Sequence, residues 1–218
     1  MTASPRLVIF DCDGVLVDSE PIACRTTAET MTELGIPTTA EEAHLLFLGD
    51  TLANVIRGIE ARATRPLPDG WPERMQENFW AELRRSLQPM PGAAEAVQAV
   101  LGAGLLACVA SQGAMAKMEL TLGVTGLWPL FEGRVFSATM VARPKPFPDL
   151  FLYAAAQCGV DADRAVVVED SPKGVQAAVA AGMRALGYAR SVPGEILSEA
   201  GAEVLHDLRD VPKLLGVA

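Results

Sequence analysis

No stretch of this 218-residue chain reaches the ~20 consecutive apolar residues that a membrane helix needs, and the opening MTASPRL has no apolar core of the kind a secretory leader carries. A cytoplasmic protein with no membrane partner is therefore expected. Basic residues are in deficit, with 18 Lys and Arg against 27 Asp and Glu and a formal net charge of −9. That excludes a protein that grips nucleic acid or an anionic membrane through its overall charge, and leaves room for a small anion bound locally. Histidine is scarce, and His44 and His206 stand without ligand-type partners in the sequence. Cys12, Cys24, Cys108 and Cys158 form no C-x-x-C pair, in a chain far longer than disulfide-stapled domains. Reduced thiols are expected, rather than a disulfide framework or a zinc site. Internal repeats and low-complexity tracts are missing as well.

What is present is ordered. Hydrophobic residues make up 50% of the chain, enough for one large core with a smaller module inserted in it. Four apolar runs have strand composition: 6–10 (RLVIF), 105–110 (LLACVA), 165–169 (AVVVE) and, more weakly, 183–188 (MRALGY). The intervening segments 92–103, 114–123, 148–159 and 172–182 read as helices. Strands without polar alternation, separated by helices, predict a doubly wound, Rossmann-like α/β core around a parallel sheet covered on both faces. From Ser19 to Leu87 no strand-type run occurs, which predicts an all-helical domain inserted after the first strand. The domain boundaries are then 1–18 with 88–218 for the core and 19–87 for the insert, with QPMPG (88–92) as the returning hinge. GAGLLA (102–107) has the outline of a dinucleotide fingerprint, but it lies between a helix and the following strand and reads as a turn.

The stretch VIFDCDGVLVDSE crowds Asp11, Asp13, Asp18 and Glu20 together, and carboxylates so close repel unless a positive partner sits among them. In a parallel sheet the loops after the strand ends gather along one edge. That edge would collect Asp11 and Asp13 from the first strand, Ser111 and Gln112 from the second, and Glu169 and Asp170 from another, with Lys145 on a Pro-stiffened loop. Carboxylates, a hydroxyl and one lysine facing a single point describe a hard-cation site with an anion beside it. Ser111 also has an alternative reading as the N-cap of the helix that follows.

The stretches DCDGVLVDSE, VASQG, RPKPFPDLF and VVVEDSPKGVQAAVAAG resemble the four successive motifs of the haloacid dehalogenase-like superfamily, in its β-phosphoglucomutase-like branch with a helical cap. The resemblance implies Asp11 as a phosphoryl-accepting nucleophile and Asp13 as general acid/base, the latter needing a proton retained at neutral pH among acidic neighbours. It implies magnesium held by Asp11, Asp170 and the Asp13 carbonyl, with Glu169 binding directly or through water. Ser111, the Gln112 amide and Lys145 would hold the phosphate. Asp18 and Glu20 would serve the hairpin and hinge. By the same resemblance the FLGDT loop (47–51) would reach the substrate, with Asp50, Thr51 and Asn54 setting specificity.

Departures from the family narrow the reaction. Asp13 is retained where dehalogenases lose that carboxylate, and 19–87 has no lysine for a phosphonatase Schiff base. Ala23 stands where sugar phosphomutases carry histidine. The expected activity is magnesium-dependent hydrolysis of a small phosphomonoester, a sugar phosphate or sugar-acid phosphate, through an aspartyl-phosphate. The alternatives are a sugar phosphomutase and a non-catalytic binder of phosphorylated metabolites. A monomer or weak homo-oligomer is expected.

Overall fold

The computed structural model describes residues 4–47, 51–131 and 133–217. They form β1 (Leu7–Phe10), then helices α1 (Glu20–Glu33), α2 (Ala40–Phe47), α3 (Leu52–Glu60) and α4 (Trp71–Ser86). After these come α5 (Ala93–Gly102), β2 (Leu106–Ser111), α6 (Met115–Val124), α7 (Trp128–Phe131), β3 (Val135–Ser137) and α8 (Asp149–Gln157). The chain continues with β4 (Ala165–Glu169), α9 (Pro172–Ala180), β5 (Arg184–Tyr188), α10 (Gly194–Glu199), β6 (Glu203–Leu205) and α11 (Val211–Leu214). Two compact units result, one comprising residues up to Asp18 with those from Gln88 onward, the other Ser19–Leu87.

In the first unit the six strands form one parallel sheet in the order β3-β2-β1-β4-β5-β6. All four β1 residues are buried, because both faces of the strand are covered. Leu7 and Ile9 join a core with Leu150, Phe151 and Ala154 of α8 and Val175, Ala177 and Ala178 of α9. By strand alternation Phe10 points to the other face, where its ring meets Phe131 of α7 edge-on at 6.5 Å. The strand order reverses between β1 and β4, and in such sheets the crevice beyond the strand ends at that reversal is where ligands bind.

The sequence reading missed β3 and β6. Each is three residues long, too short to show a period, and β6 is exposed at its first residue. GAGLLA is a helix-to-strand turn, with Gly104 at φ 77° between α5 and β2. Beyond β1 the chain makes a tight loop, in which Gly14 (φ 80°) donates its N–H to the Val17 carbonyl at 2.9 Å. Asp18 then pairs with the returning segment, its N–H on the Gln88 carbonyl at 3.1 Å, while its carboxylate lies 3.8 Å from Arg190.

The second unit is built from α1–α4 around Met31, Leu34, Val55, Ile59, Trp71 and Met75. Thr51 caps α3 by accepting from the Asn54 N–H. Its arginines are engaged locally: Arg25 and Arg85 both pair with Glu82, and Arg57 donates to Asn54. Among the described residues no helix is long and apolar enough to cross a membrane.

Candidate active site

Asp11 is the first residue beyond β1, and its N–H donates to the Val168 carbonyl of β4 at 2.9 Å. That bond fixes the side chain at the edge where the strand order reverses. Asp11 is 7% exposed. Burial, opposed by Lys145 and reinforced by the charge of Glu169, pushes its pKa up to about 7.

Lys145 reaches this carboxylate from the loop before α8, and is buried too. Its Nζ donates to Asp11 Oδ1 at 2.5 Å, to Glu169 Oε1 at 2.5 Å and to the Ala110 carbonyl at 3.0 Å. Its three donors thus span the ends of β1, β4 and β2. Burial works against the charge, but Asp11 and Glu169 outweigh it and hold the ammonium above the usual lysine pKa.

Glu169, 1% exposed, is occupied on both oxygens. Oε1 takes Lys145, and Oε2 accepts from the Ser171 N–H at 3.1 Å and its hydroxyl at 2.8 Å. Gly174 in the first turn of α9 makes room for it: a Cβ there would lie 1.9 Å from the Glu169 carboxyl carbon. Asp170 lies against Gly14, where a Cβ would come within 2.0 Å of its Oδ2. Its pKa is raised well above the ordinary carboxylate value by burial, then by the charges of Glu169, Asp11 and Asp13.

Ser111 ends β2 and is 2% exposed. It does not cap α6, whose N-cap position is Ala114; instead its Oγ accepts from the Gly113 N–H at 3.2 Å. Ser137, in the strand missed by the sequence reading, donates its hydroxyl to the Gly113 carbonyl at 2.7 Å and so steadies the loop carrying Ser111 and Gln112. A Cβ at Gly113 would sit 3.6 Å from Ser111 Oγ and 3.7 Å from Asp13 Oδ2, so these groups border one small volume.

The sequence reading overlooked Lys117. In the first turn of α6, it donates from Nζ to Asp13 Oδ1 at 2.8 Å. Asp13 therefore has a cation as a neighbour, not carboxylates alone. A signal was available: lysine opposes the dipole at a helix N-terminus, and α6 has no acidic residue in that turn to compensate. Thr51 and Asn54 lie in the helical unit, and Asp50 falls outside the described residues. The separation assigned to His44 is also corrected: folding brings it to Glu20 and Cys24. All four cysteines are free thiols.

Four carboxylates (Asp11, Asp13, Glu169, Asp170) share this edge with two ammonium groups (Lys117, Lys145), an excess of two negative charges once all four carboxylates are ionised. Burial, and after it the repulsion among these carboxylates, disfavours the ionised forms of Asp11 and Asp170, and a divalent cation with oxygen ligands would relieve both.

A family profile described as haloacid dehalogenase-like hydrolase matches residues 8–188. This chain is a haloacid dehalogenase-like hydrolase. The hydrolase is 33% identical over 177 residues to the 6-phosphogluconate phosphatase of Escherichia coli (strain K12), covering 81% of this chain and 79% of that protein. It is 32% identical over 206 residues to Protein SUPPRESSOR OF QUENCHING 1, chloroplastic, of Arabidopsis thaliana, covering 92% of this chain but only 19% of that longer protein. The crystal structure of a HAD family hydrolase from Deinococcus radiodurans with bound phosphate and sodium resembles it with a TM-score of 0.84 at 29% identity, covering 99% of this chain and 98% of that one. The α/β fold class expected from the strand and helix pattern, and the family expected from the four motifs, are those found.

Proposed function

We propose that this phosphoric monoester hydrolase acts on a small phosphorylated sugar or sugar acid, with Asp11 as nucleophile and magnesium as cofactor. The observation that carries the reading is the Lys145 ammonium shared by Asp11, Glu169 and the Ala110 carbonyl. It holds one carboxylate at the crevice while adding the positive charge an incoming phosphate needs. The kinship with a 6-phosphogluconate phosphatase supports the sugar-acid end of the range.

Asp11 Oδ attacks phosphorus in line, forming an acyl phosphate as the ester oxygen leaves. Asp13 gives that oxygen its proton, then takes one from the water that opens the acyl phosphate, releasing inorganic phosphate and regenerating Asp11. The Ser111 hydroxyl and the Gln112 N–H hold the phosphate oxygens, Lys145 adds positive charge beside them while its three donors stay on Asp11, Glu169 and the Ala110 carbonyl, and Lys117 keeps Asp13 in place. Asp11, Asp170 and the Asp13 carbonyl would hold magnesium; Glu169, with both oxygens engaged, would act on it through water and anchor Lys145. When bound, the ion shields the entering phosphate from the Asp11 charge. In the helical unit, Thr51 and Asn54, with Asp50, are assigned to substrate choice.

The test is phosphate release from a panel of phosphorylated sugars and sugar acids, with p-nitrophenyl phosphate as generic ester, each with magnesium and with chelator. Magnesium-dependent turnover favouring a sugar or sugar-acid phosphate is expected. Binding of those compounds without phosphate release under any metal would replace the enzyme with a binding protein.

A further inference from the structure

The helical unit carries a cluster that this chemistry does not use. Glu20 opens α1, and Cys24 follows one turn later on the same face. α2 packs against α1, and His44 in its last turn brings Nδ1 to 3.8 Å from Cys24 Sγ and 2.9 Å from Glu20 Oε1. The three ligand-type atoms all lie within 4.8 Å of one another, the one such grouping of three among the described residues.

Glu20 Oε1 is buried, yet among the described residues it accepts no hydrogen bond. The His44 nitrogen lies 2.9 Å away without making that bond, and the same nitrogen faces the Cys24 sulfur at 3.8 Å. One proton on Nδ1 cannot serve both neighbours. A cation between the three atoms would use a lone pair from each.

We propose that Glu20, Cys24 and His44 form a binding site for a borderline-soft divalent ion of the zinc type, separate from the carboxylate site of the α/β unit. Tetrahedral bonds of about 2.0–2.3 Å from such an ion set its ligand atoms about 3.3–3.7 Å apart, within small side-chain shifts of the separations found. A nitrogen, sulfur and oxygen donor set selects zinc-type ions, whereas magnesium prefers oxygen throughout. The side chains of His44 and Glu20 are 39% and 29% exposed, which leaves an entry path and a fourth position for water. Burial, then the charge of Glu20, raises the Cys24 pKa, so binding releases a proton and tightens as pH rises. The ion would tie the first turn of α1, which begins two residues after Asp18, to the end of α2.

Cobalt tests the site because a thiolate ligand adds a charge-transfer band that carboxylates do not. The full chain, saturated with magnesium to occupy the carboxylate site, is titrated with cobalt and then with zinc. One cobalt per chain should give the thiolate band and tetrahedral visible bands, both erased by zinc. Cys24→Ser should abolish the charge-transfer band. His44→Gln should weaken binding by at least about tenfold, a loss of the size expected for groups around a metal. Circular dichroism and thermal melts of both variants show that the fold persists, and Glu20→Gln provides a third, milder variant. A wild-type chain with no thiolate band overturns the proposal. So does a band that survives in Cys24→Ser, because the ion would then sit on another thiol.

Discussion

Lys117 Nζ and Asp13 Oδ1 meet at 2.8 Å, joining the first turn of α6 to the loop after β1 across 104 positions of sequence. Burial opposes the lysine charge, but Asp13 more than offsets it and the ammonium stays protonated. Positioning of an acid/base is worth part of the ~100- to 10,000-fold such groups contribute. Lys117→Met is therefore expected to lower kcat roughly 10- to 100-fold with magnesium affinity little changed, and Lys117→Arg to restore part of it. Steady-state kinetics with a magnesium titration check this; a normal kcat in Lys117→Met would remove the lysine from the reaction.

Asp11→Asn should lower kcat more than about a hundredfold, a loss of at least ~3 kcal/mol of transition-state stabilisation, because the amide keeps the shape but cannot attack phosphorus. The fold should persist, since the amide oxygen can still accept from Lys145. Single-turnover assays beside thermal melts check both halves, and near-normal turnover would mean that another group is the nucleophile.

Gly174→Ala should destabilise the α/β unit, because the added methyl would meet the buried Glu169 carboxylate at 1.9–2.2 Å. Moving Glu169 strips a partner from the buried Lys145 ammonium. Disrupting a buried ion pair in this way costs about 3–5 kcal/mol when one partner is lost entirely. Urea denaturation measures it. A variant as stable as the wild type would show that the α9 turn can move aside.

Stability should depend on pH in a direction set by the crowded carboxylates. Asp11 is lifted to about 7 chiefly by burial, and Asp170 is also raised, chiefly by burial. Between the unfolded value of about 3.9 and those values the folded chain binds more protons than the unfolded one. Stability of the metal-free protein therefore falls as pH rises through that window. Melting temperature in chelator should be lower at about pH 8 than at about pH 5, and added magnesium should raise it more at the higher pH. A larger magnesium effect at low pH would contradict the assignment.

Much of the fold was readable because its signals are local. LVIF and AVVVE are apolar runs bounded by charge, and Pro172 and Gly182 bracket a helix that the structure places at Pro172–Ala180. The gathering of Asp11, Ser111, Lys145, Glu169 and Asp170 on one edge was also legible, since parallel strands deliver their following loops to the same side. β3 and β6 were not, because three residues show no period and their pairing energy comes from the neighbouring strand.

What the sequence determined by itself was therefore the parallel α/β core, the helical segment and the residue types at the strand ends, all encoded within short windows by composition and spacing. Tertiary structure alone decided which charges meet. Lys117 reaches Asp13, and His44 reaches Cys24 and Glu20, only because helices distant in the chain pack side by side. Glu169 turns to Lys145 and Ser171, with both oxygens taken, because Gly174 leaves no Cβ in its way. Such pairings depend on packing distance and on hydrogen-bond direction, and neither quantity is defined until the chain has folded.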